Sequence, residues 1–156
     1  MDLVPETDLK LERTLEVPRA LLWDCWTTPD HVRQFFVPKP HRVTGCEIDL
    51  RTGGRFNTVF EVDGNEMRNE GVFLEVVPKE KLVFTDAYTE GWKPAENPFM
   101  TAILLLEDAG AGRTRYTAIA RHRTAEARQS HEDMGFFTGW DIVADQLQDY
   151  ARSLMR

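Results

Sequence analysis

The sequence predicts an α+β fold in which one antiparallel sheet packs against a long C-terminal helix. Between residues 130 and 154, apolar residues recur every three or four positions, the spacing that keeps side chains on one helix face. Between residues 44 and 123, short apolar segments alternate with glycine-containing turns, a pattern typical of strands. A helix with one apolar face needs a partner to cover it, so we expect the helix to lie across the sheet and enclose a concavity. The apolar face consists of Phe136, Trp140, Val143, Leu147, Tyr150 or Ala151, and Leu154.

Length and composition limit the classes of function. A chain of 156 residues is expected to form one domain whose core is stable without disulfides. The net charge of -7 argues against nucleic acid or an anionic membrane as partner, because both need a positive surface. We expect no membrane-spanning segment and no secretion signal, because the sequence has no long apolar run and its first residues lack a positive and then an apolar region. The sequence has only two cysteines, Cys25 and Cys46, and its first residues do not resemble a secretion signal, so we expect a protein of the reducing cytoplasm. A disulfide between Cys25 and Cys46 stays open.

The N-terminal part predicts a loose leader, one strand and two short helices. Residues 1–7 form the leader, and apolar and polar residues then alternate over 9–17, with Arg13 as the charged residue on the apolar face. Pro18 ends the strand and suits the first position of a helix. Thr28 and Pro29 predict the cap and the first residue of a second helix.

Strands are predicted at 43–50, 55–62, 67–77, 82–88, 99–106 and 115–122. Asp63-Gly64 is a strong hairpin signal, because both central residues of such a turn need positive φ. Residues 89–98 are expected to form a loop. Short connections between neighbouring strands imply an antiparallel sheet.

The terminal helix is expected to begin near Ser130, which together with Asp133 resembles a capping box. Gly135 and Gly139 are unfavourable inside a helix. Either they weaken the first turn, or a backbone or ligand approaches closely there.

Several segments, in this order and spacing, resemble the START-like and birch-pollen-allergen-like (SRPBCC) superfamily. Within this superfamily, they resemble the bacterial relatives of the activator of the ninety-kilodalton heat-shock protein ATPase. The segments are PRALLW at 18–23, TPD at 28–30, DLRTGGRF at 49–56, Gly71, PKEKLVFT at 78–85, MGF at 134–136 and GW at 139–140. The resemblance implies a single helix-grip domain over residues 8–154, with a curved antiparallel sheet wrapped around the C-terminal helix and a cavity between them. It also implies that Trp140 anchors the helix to the sheet.

Aromatic and sulfur-containing side chains are the candidate ligand-binding residues. In the strand at 55–62, Phe56, Thr58, Phe60 and Val62 share one face, and a large apolar group on a concave sheet can line a pocket. An ordinary packed core is the alternative. The candidates are Trp26, Phe36, Phe60, Met67, Phe73, Phe84, Tyr88, Tyr116, His122, Met134, Phe137 and Trp140.

Polar candidates are few. Tyr116 and His122 share one strand face with two alanines that would leave space beneath the helix, although His122 could equally be a solvated rim residue. Asp86 is either a buried charge that needs a partner such as Arg55 or His122, or an edge residue. His131 is expected to serve the helix start. The four histidines lack metal-ligand spacing, so we expect no metal and no cofactor.

Three classes of function remain open. The favoured hypothesis is binding of a small apolar or amphipathic molecule between sheet and helix. The second is a cyclase, dehydratase or hydrolase that uses Tyr116, His122 and Asp86 as acid and base. The third is a co-chaperone-like interaction domain, as the resemblance implies. A homodimer is also open, although the apolar helix face cannot serve both the sheet and a second copy.

Overall fold

The computed structural model describes residues 2–155 and confirms the α+β, helix-grip architecture. The helices are α1 (Arg19–Thr27), α2 (Pro29–Val32), α3 (Ala125–Asp133) and α4 (Phe136–Ser153). The strands are β1 (Asp8–Leu15), β2 (Arg42–Ile48), β3 (Phe56–Val62), β4 (Asn65–Asn69), β5 (Val72–Val77), β6 (Lys81–Thr85), β7 (Tyr88–Thr89), β8 (Lys93–Pro94), β9 (Thr101–Gly110) and β10 (Arg113–Arg121).

The strands form a main sheet and a smaller one. The main sheet has the order β1-β10-β9-β6-β5, the smaller sheet has the order β2-β3-β4, and every pairing within them is antiparallel. Bridges at Thr52–Phe73 and Arg55–Val72 link the two sheets along one edge. The predicted loop at 89–98 contains part of the two-stranded β7–β8 hairpin. The Asp63-Gly64 turn is confirmed, with φ angles of 52° and 80°.

The predicted strand at 67–77 is wrong, because the chain changes sheets in its middle. β4 pairs with β3, whereas β5 pairs with β6. Gly71 lies at the crossing, where a Cβ atom would stand 2.3 Å from the carbonyl oxygen of Thr85. Only glycine permits this approach of two backbones.

The single helix predicted from residue 130 is also wrong. Gly135 adopts a φ of 97°, a left-handed conformation that ends α3 and separates it from α4. The cap of α3 is Thr124, whose hydroxyl accepts a hydrogen bond from the Ala127 amide at 3.0 Å. Ser130 and Asp133 therefore lie inside α3 and form no capping box. Thr28 occupies the cap position of α2, but its side chain makes no capping hydrogen bond.

The apolar face of α4 packs against the main sheet, as predicted. Val143, Leu147 and Ala151 are buried in the same cluster as Tyr116 and Ala118 of β10. Leu154 lies beyond the helix end and is 41% exposed, so it does not extend this face.

Polar side chains help to hold α4 in place. Arg13 of β1 forms ion pairs with Asp141 and Asp145 at 3.1 and 2.7 Å. Gln146 donates to the carbonyl oxygens of Phe35 and Val37 and accepts from the Lys39 amide, at distances of 2.8 to 2.9 Å. Gln146 thus fixes the segment between α2 and β2 beneath the helix. None of the helices within residues 2–155 is long and apolar enough to cross a bilayer.

Candidate functional site

A cavity of about 680 Å³ lies between β3, β4 and the N-terminal half of α4. Its volume is within the range of roughly 300–1,000 Å³ that is typical of small-molecule sites. Most of its wall is apolar. The lining residues are Phe36, Val37, Pro38, Phe56, Thr58, Phe60, Val62, Met67, Asn69, Glu70, Gly71, Phe84, Thr85, Asp86, Phe99, Met100, His131, Met134, Gly135, Phe136, Gly139, Trp140 and Val143.

Strand periodicity builds one wall of the cavity. The face of β3 that carries Phe56, Thr58, Phe60 and Val62 lines it completely, as the alternation of side chains in a strand requires. Met67 of β4 lies opposite Phe60 in the hairpin and extends this wall.

The opposite wall comes from the break between α3 and α4. Gly135 and Gly139 both line the cavity, and a Cβ atom added at either position would meet, within 4 Å, no described atom beyond its chain neighbours and its own helix backbone. No backbone therefore approaches these glycines. Gly135 provides the left-handed turn, whereas Gly139 leaves open space beside the cavity.

Stacked and edge-on aromatic rings form the floor. Phe36 contacts Phe56, Phe60 and Trp140 with ring centroids 5.6 to 6.3 Å apart. Trp26 lies behind Phe36 at 5.0 Å and is almost fully buried. Ring packing of this kind fixes the side chains that face the cavity.

Trp140 both anchors α4 and lines the cavity. Its indole stacks on Trp26 at 6.5 Å and packs against the buried core, while one side remains open to the cavity. The anchoring role that the resemblance implies is thus combined with a position in the wall.

Asp86 lies at one end of the cavity, where its carboxylate caps two backbone amides. The oxygens accept hydrogen bonds from the N–H groups of Phe99 and Met100 at 2.8 to 3.0 Å. The suggested partner Arg55 instead pairs with Glu90 at 3.2 Å. Asp86 therefore holds the chain before β9 against the end of β6.

A pair of buried histidines lies at the same end of the molecule. His122 Nδ1 is 2.8 Å from the Thr7 carbonyl oxygen, and His122 Nε2 is 2.9 Å from His131 Nδ1. Burial, together with the charge that His122 can carry, lowers the pKa of His131 to about 4. The expectation that His131 serves a helix start is wrong, because it lies in the last turn of α3 and lines the cavity.

The structure brings six of the twelve predicted site residues to the cavity wall. These are Phe36, Phe60, Met67, Phe84, Met134 and Trp140.

The other six lie elsewhere. Trp26, Phe73 and Tyr116 are buried in the core behind the wall, and His122 stands behind His131. The side chains of Tyr88 and Phe137 are exposed outside the cavity, at 38% and 45%.

The proposed acid–base set is not assembled in the cavity. Asp86 lines it, but Tyr116 and His122 do not. Burial raises the pKa of Tyr116, an effect that the nearby Trp26 indole and Arg13 guanidinium offset only in part. Within residues 2–155, neither the Tyr116 hydroxyl nor the Trp26 Nε1 has a hydrogen-bond partner.

The cysteines are poor nucleophiles. Both are free thiols, and burial raises the pKa of Cys25 to about 12 and that of Cys46 to about 11. Among residues 2–155, no three His, Cys, Asp or Glu side chains are grouped closely enough to hold a metal ion.

Comparison with known proteins assigns the family. Residues 16–152 match the family described as Activator of Hsp90 ATPase homolog 1-like protein. The chain belongs to this family. The match covers most of the sequence and agrees with the resemblance seen in its motifs. None of the curated proteins matches it significantly.

Solved structures share the fold of this Activator of Hsp90 ATPase homolog 1-like chain over nearly its whole length. A protein from Nitrosomonas europaea is 40% identical, with a TM-score of 0.95, and the match covers 98% of this chain and 99% of that one. A protein from Mycobacterium smegmatis is 23% identical, with a TM-score of 0.78 and coverage of 94% and 91%. An AHSA1-like protein from Aeromonas hydrophila is 16% identical, with a TM-score of 0.71 and coverage of 95% and 94%.

Sequence reasoning missed several wall residues of this family member. Val37 and Pro38 follow α2 and gave no periodic signal, while Asn69 was placed in a strand that does not exist as predicted. His131 was missed because only the fold brings it to His122, nine positions earlier in the chain, and such pairing leaves no periodic signal in a single sequence.

Proposed function

We propose that this chain binds a small apolar or amphipathic molecule in the cavity between the smaller sheet and α4. The observation that carries the proposal is the cavity itself, with a volume of about 680 Å³ and a largely apolar wall. The cavity opens to the surface, and its volume is large enough to hold a small molecule.

Residues at the rim of the cavity support entry of an apolar ligand. Met67, Phe99 and Met134 line the cavity, yet they are 49%, 39% and 71% exposed. Exposed apolar groups that continue into a cavity are typical of ligand-binding sites. Methionine is flexible and polarisable, so its side chain adapts to ligands of different shape.

Some of the site residues predicted from sequence line the cavity, and the proposed ligand would contact these, foremost Phe36, Phe60, Phe84 and Trp140. Trp26, Phe73 and Tyr116 would support these rings from behind. We place this function in one domain that spans residues 8–154 and in a reducing cytoplasm, which the free thiols of Cys25 and Cys46 would tolerate.

The test uses a variant that fills the cavity. Gly139→Leu would place a side chain in the open space beside the wall while favouring the helix. Thr138→Leu is the matched control, because Thr138 is the adjacent exposed residue and does not line the cavity.

Wild type and both variants are screened with alkylphenols, fatty acids, sterols and aromatic polyketides by native mass spectrometry and thermal shift. We expect a bound compound to lose at least about tenfold in affinity for Gly139→Leu and to retain its affinity for Thr138→Leu. Binding that is equally strong in all three proteins would place the ligand elsewhere and contradict the proposal.

The other predicted functions have no comparable support. The acid–base set is not assembled in the cavity, and the co-chaperone hypothesis rests on the family description alone. The homodimer also stays a prediction, and the buried face of α4 is occupied by the sheet.

A further inference from the structure

Beside the aromatic wall of the cavity, His131 carries a ring nitrogen, Nε2, that makes no hydrogen bond within residues 2–155. We propose that the ligand is an uncharged apolar molecule with a hydroxyl group, an alcohol or phenol, whose O–H donates to Nε2 of His131. This inference rests on the proposed ligand-binding function and specifies the chemistry of the ligand.

The Thr7 carbonyl oxygen determines the direction of the two hydrogen bonds that link Thr7, His122 and His131. The Thr7 carbonyl oxygen can only accept, so His122 Nδ1, 2.8 Å away, must carry the proton. In a neutral imidazole the other nitrogen is then an acceptor, so His122 Nε2 accepts from His131 Nδ1 at 2.9 Å. His131 Nε2 is thereby left without a proton and acts as an acceptor.

This acceptor is unused within the part of the chain that the structure describes. Within residues 2–155, the ring of His131 makes one hydrogen bond, through Nδ1, and none of these residues forms a hydrogen bond with Nε2. The residue lines the cavity and is only 7% exposed, so a ligand is better placed than bulk solvent to supply the missing donor.

Aromatic neighbours hold the imidazole in a defined orientation. The ring of Phe99 lies 4.6 Å from that of His131, and the ring of Phe136 meets it edge-on at 5.2 Å. Phe99 and Phe136 also line the cavity, so a flat apolar ligand that packs on them would bring its polar end to Nε2.

The charges of the wall select against an anionic ligand. Asp86 and Glu70 are the charged residues of the lining, and both are acidic, whereas lysine and arginine are absent from it among residues 2–155. A carboxylate head group would face these acids and an imidazole lone pair without a cation to neutralise it. A hydroxyl group avoids this repulsion and satisfies the acceptor.

The test compares three probes with the same tail: 4-hexylphenol, 4-hexylanisole and 4-hexylbenzoate. Affinities are measured by calorimetry near pH 8, because the ordinary pKa of histidine is about 6.5. The anisole has lost the donor, so the ratio of its dissociation constant to that of the phenol isolates the O–H contact. In His131→Phe, which keeps a ring but removes the acceptor, we expect this ratio to fall about 3- to 10-fold.

His41→Phe is the control, since His41 does not line the cavity, and it should leave the ratio unchanged. The benzoate should bind more weakly than the phenol in wild type. An unchanged ratio in His131→Phe, or a benzoate that binds best, would overturn the inference while leaving the ligand-binding function intact. Failure of all three probes to bind would contradict both.

A second measurement needs no variant. Long-range proton–nitrogen NMR of the free protein near pH 8 reports which nitrogen of each histidine carries the proton. We expect the proton of His131 to be on Nδ1 and Nε2 to be unprotonated. A proton on Nε2 would make this group a donor and overturn the inference.

Discussion

His131 combines three properties in one side chain: it is buried, it lines the cavity and it forms a hydrogen bond with His122. The sequence could indicate only that a histidine lies near a helix. Its environment depends on how the chain turns back after β10 into α3, which brings residues 122 and 131 within hydrogen-bonding distance. Tertiary pairing of this kind leaves no periodic signal in a single sequence.

The lowered pKa of His131 predicts how stability depends on pH. In the unfolded chain its pKa is 6.5, whereas in the folded state it is about 4. Below about pH 6.5 the unfolded chain therefore binds a proton that the folded state excludes, so stability is highest above this pH and falls as the pH decreases. The slope approaches about 1.4 kcal/mol per pH unit.

Urea denaturation between about pH 8 and pH 5 measures this dependence. We expect the free energy of unfolding to fall by about 2 kcal/mol over this interval in wild type and by less in His131→Phe. Identical slopes in wild type and variant would show that His131 does not titrate as described.

The ion pair between Asp8 and Arg121 affects stability only at lower pH. Burial raises the pKa of the Asp8 carboxyl, but hydrogen bonds from Arg121 and the Val4 amide outweigh burial and hold this pKa below its usual value.

At the scale of elements, the sequence predicted the first two helices, the first strand, β3 and the turn after β3 closely. These elements are encoded by local signals: alternation over 9–17, prolines at 18 and 29, and Asp63-Gly64. The predictions failed where a glycine changes the direction of the chain. Gly71 and Gly135 both stand inside segments whose apolar pattern continues past them, so periodicity alone does not show the break.

Replacing each of the two glycines beside the cavity by alanine should change the stability of the protein in opposite directions. Gly135→Ala would force an L-residue into a φ of 97°, so we expect a loss of about 1–2 kcal/mol in the free energy of unfolding. Gly139 lies within α4 and has open space at its Cβ position, so Gly139→Ala should gain up to about 1 kcal/mol.

Chemical denaturation of both variants beside wild type measures this difference. Each variant adds one methyl group to the same cavity wall, so each serves as the control for the other. A loss of stability in Gly139→Ala comparable with that of Gly135→Ala would mean that the helix break is not confined to residue 135.

For the whole molecule, the sequence predicted the fold better than the site. An apolar helix face and an antiparallel sheet must meet, and they do so through Val143, Leu147 and Ala151. The separation of the smaller sheet from α4 decides which inward residues pack against one another and which line the cavity. Phe56 and Phe60 share a strand face, yet their exposure to a cavity follows only from the sheet change at Gly71 and the turn at Gly135.

The central claim is that the space beneath α4 binds an apolar molecule, and methionine methyl groups test it most directly. Met67, Met100 and Met134 line the cavity, while Met155 lies outside it and is 58% exposed. In carbon-13 methyl NMR with 4-hexylphenol, we predict saturable shifts of the three lining methionines and an unchanged Met155 signal. Unchanged signals from all three lining methionines at saturating probe would contradict the account.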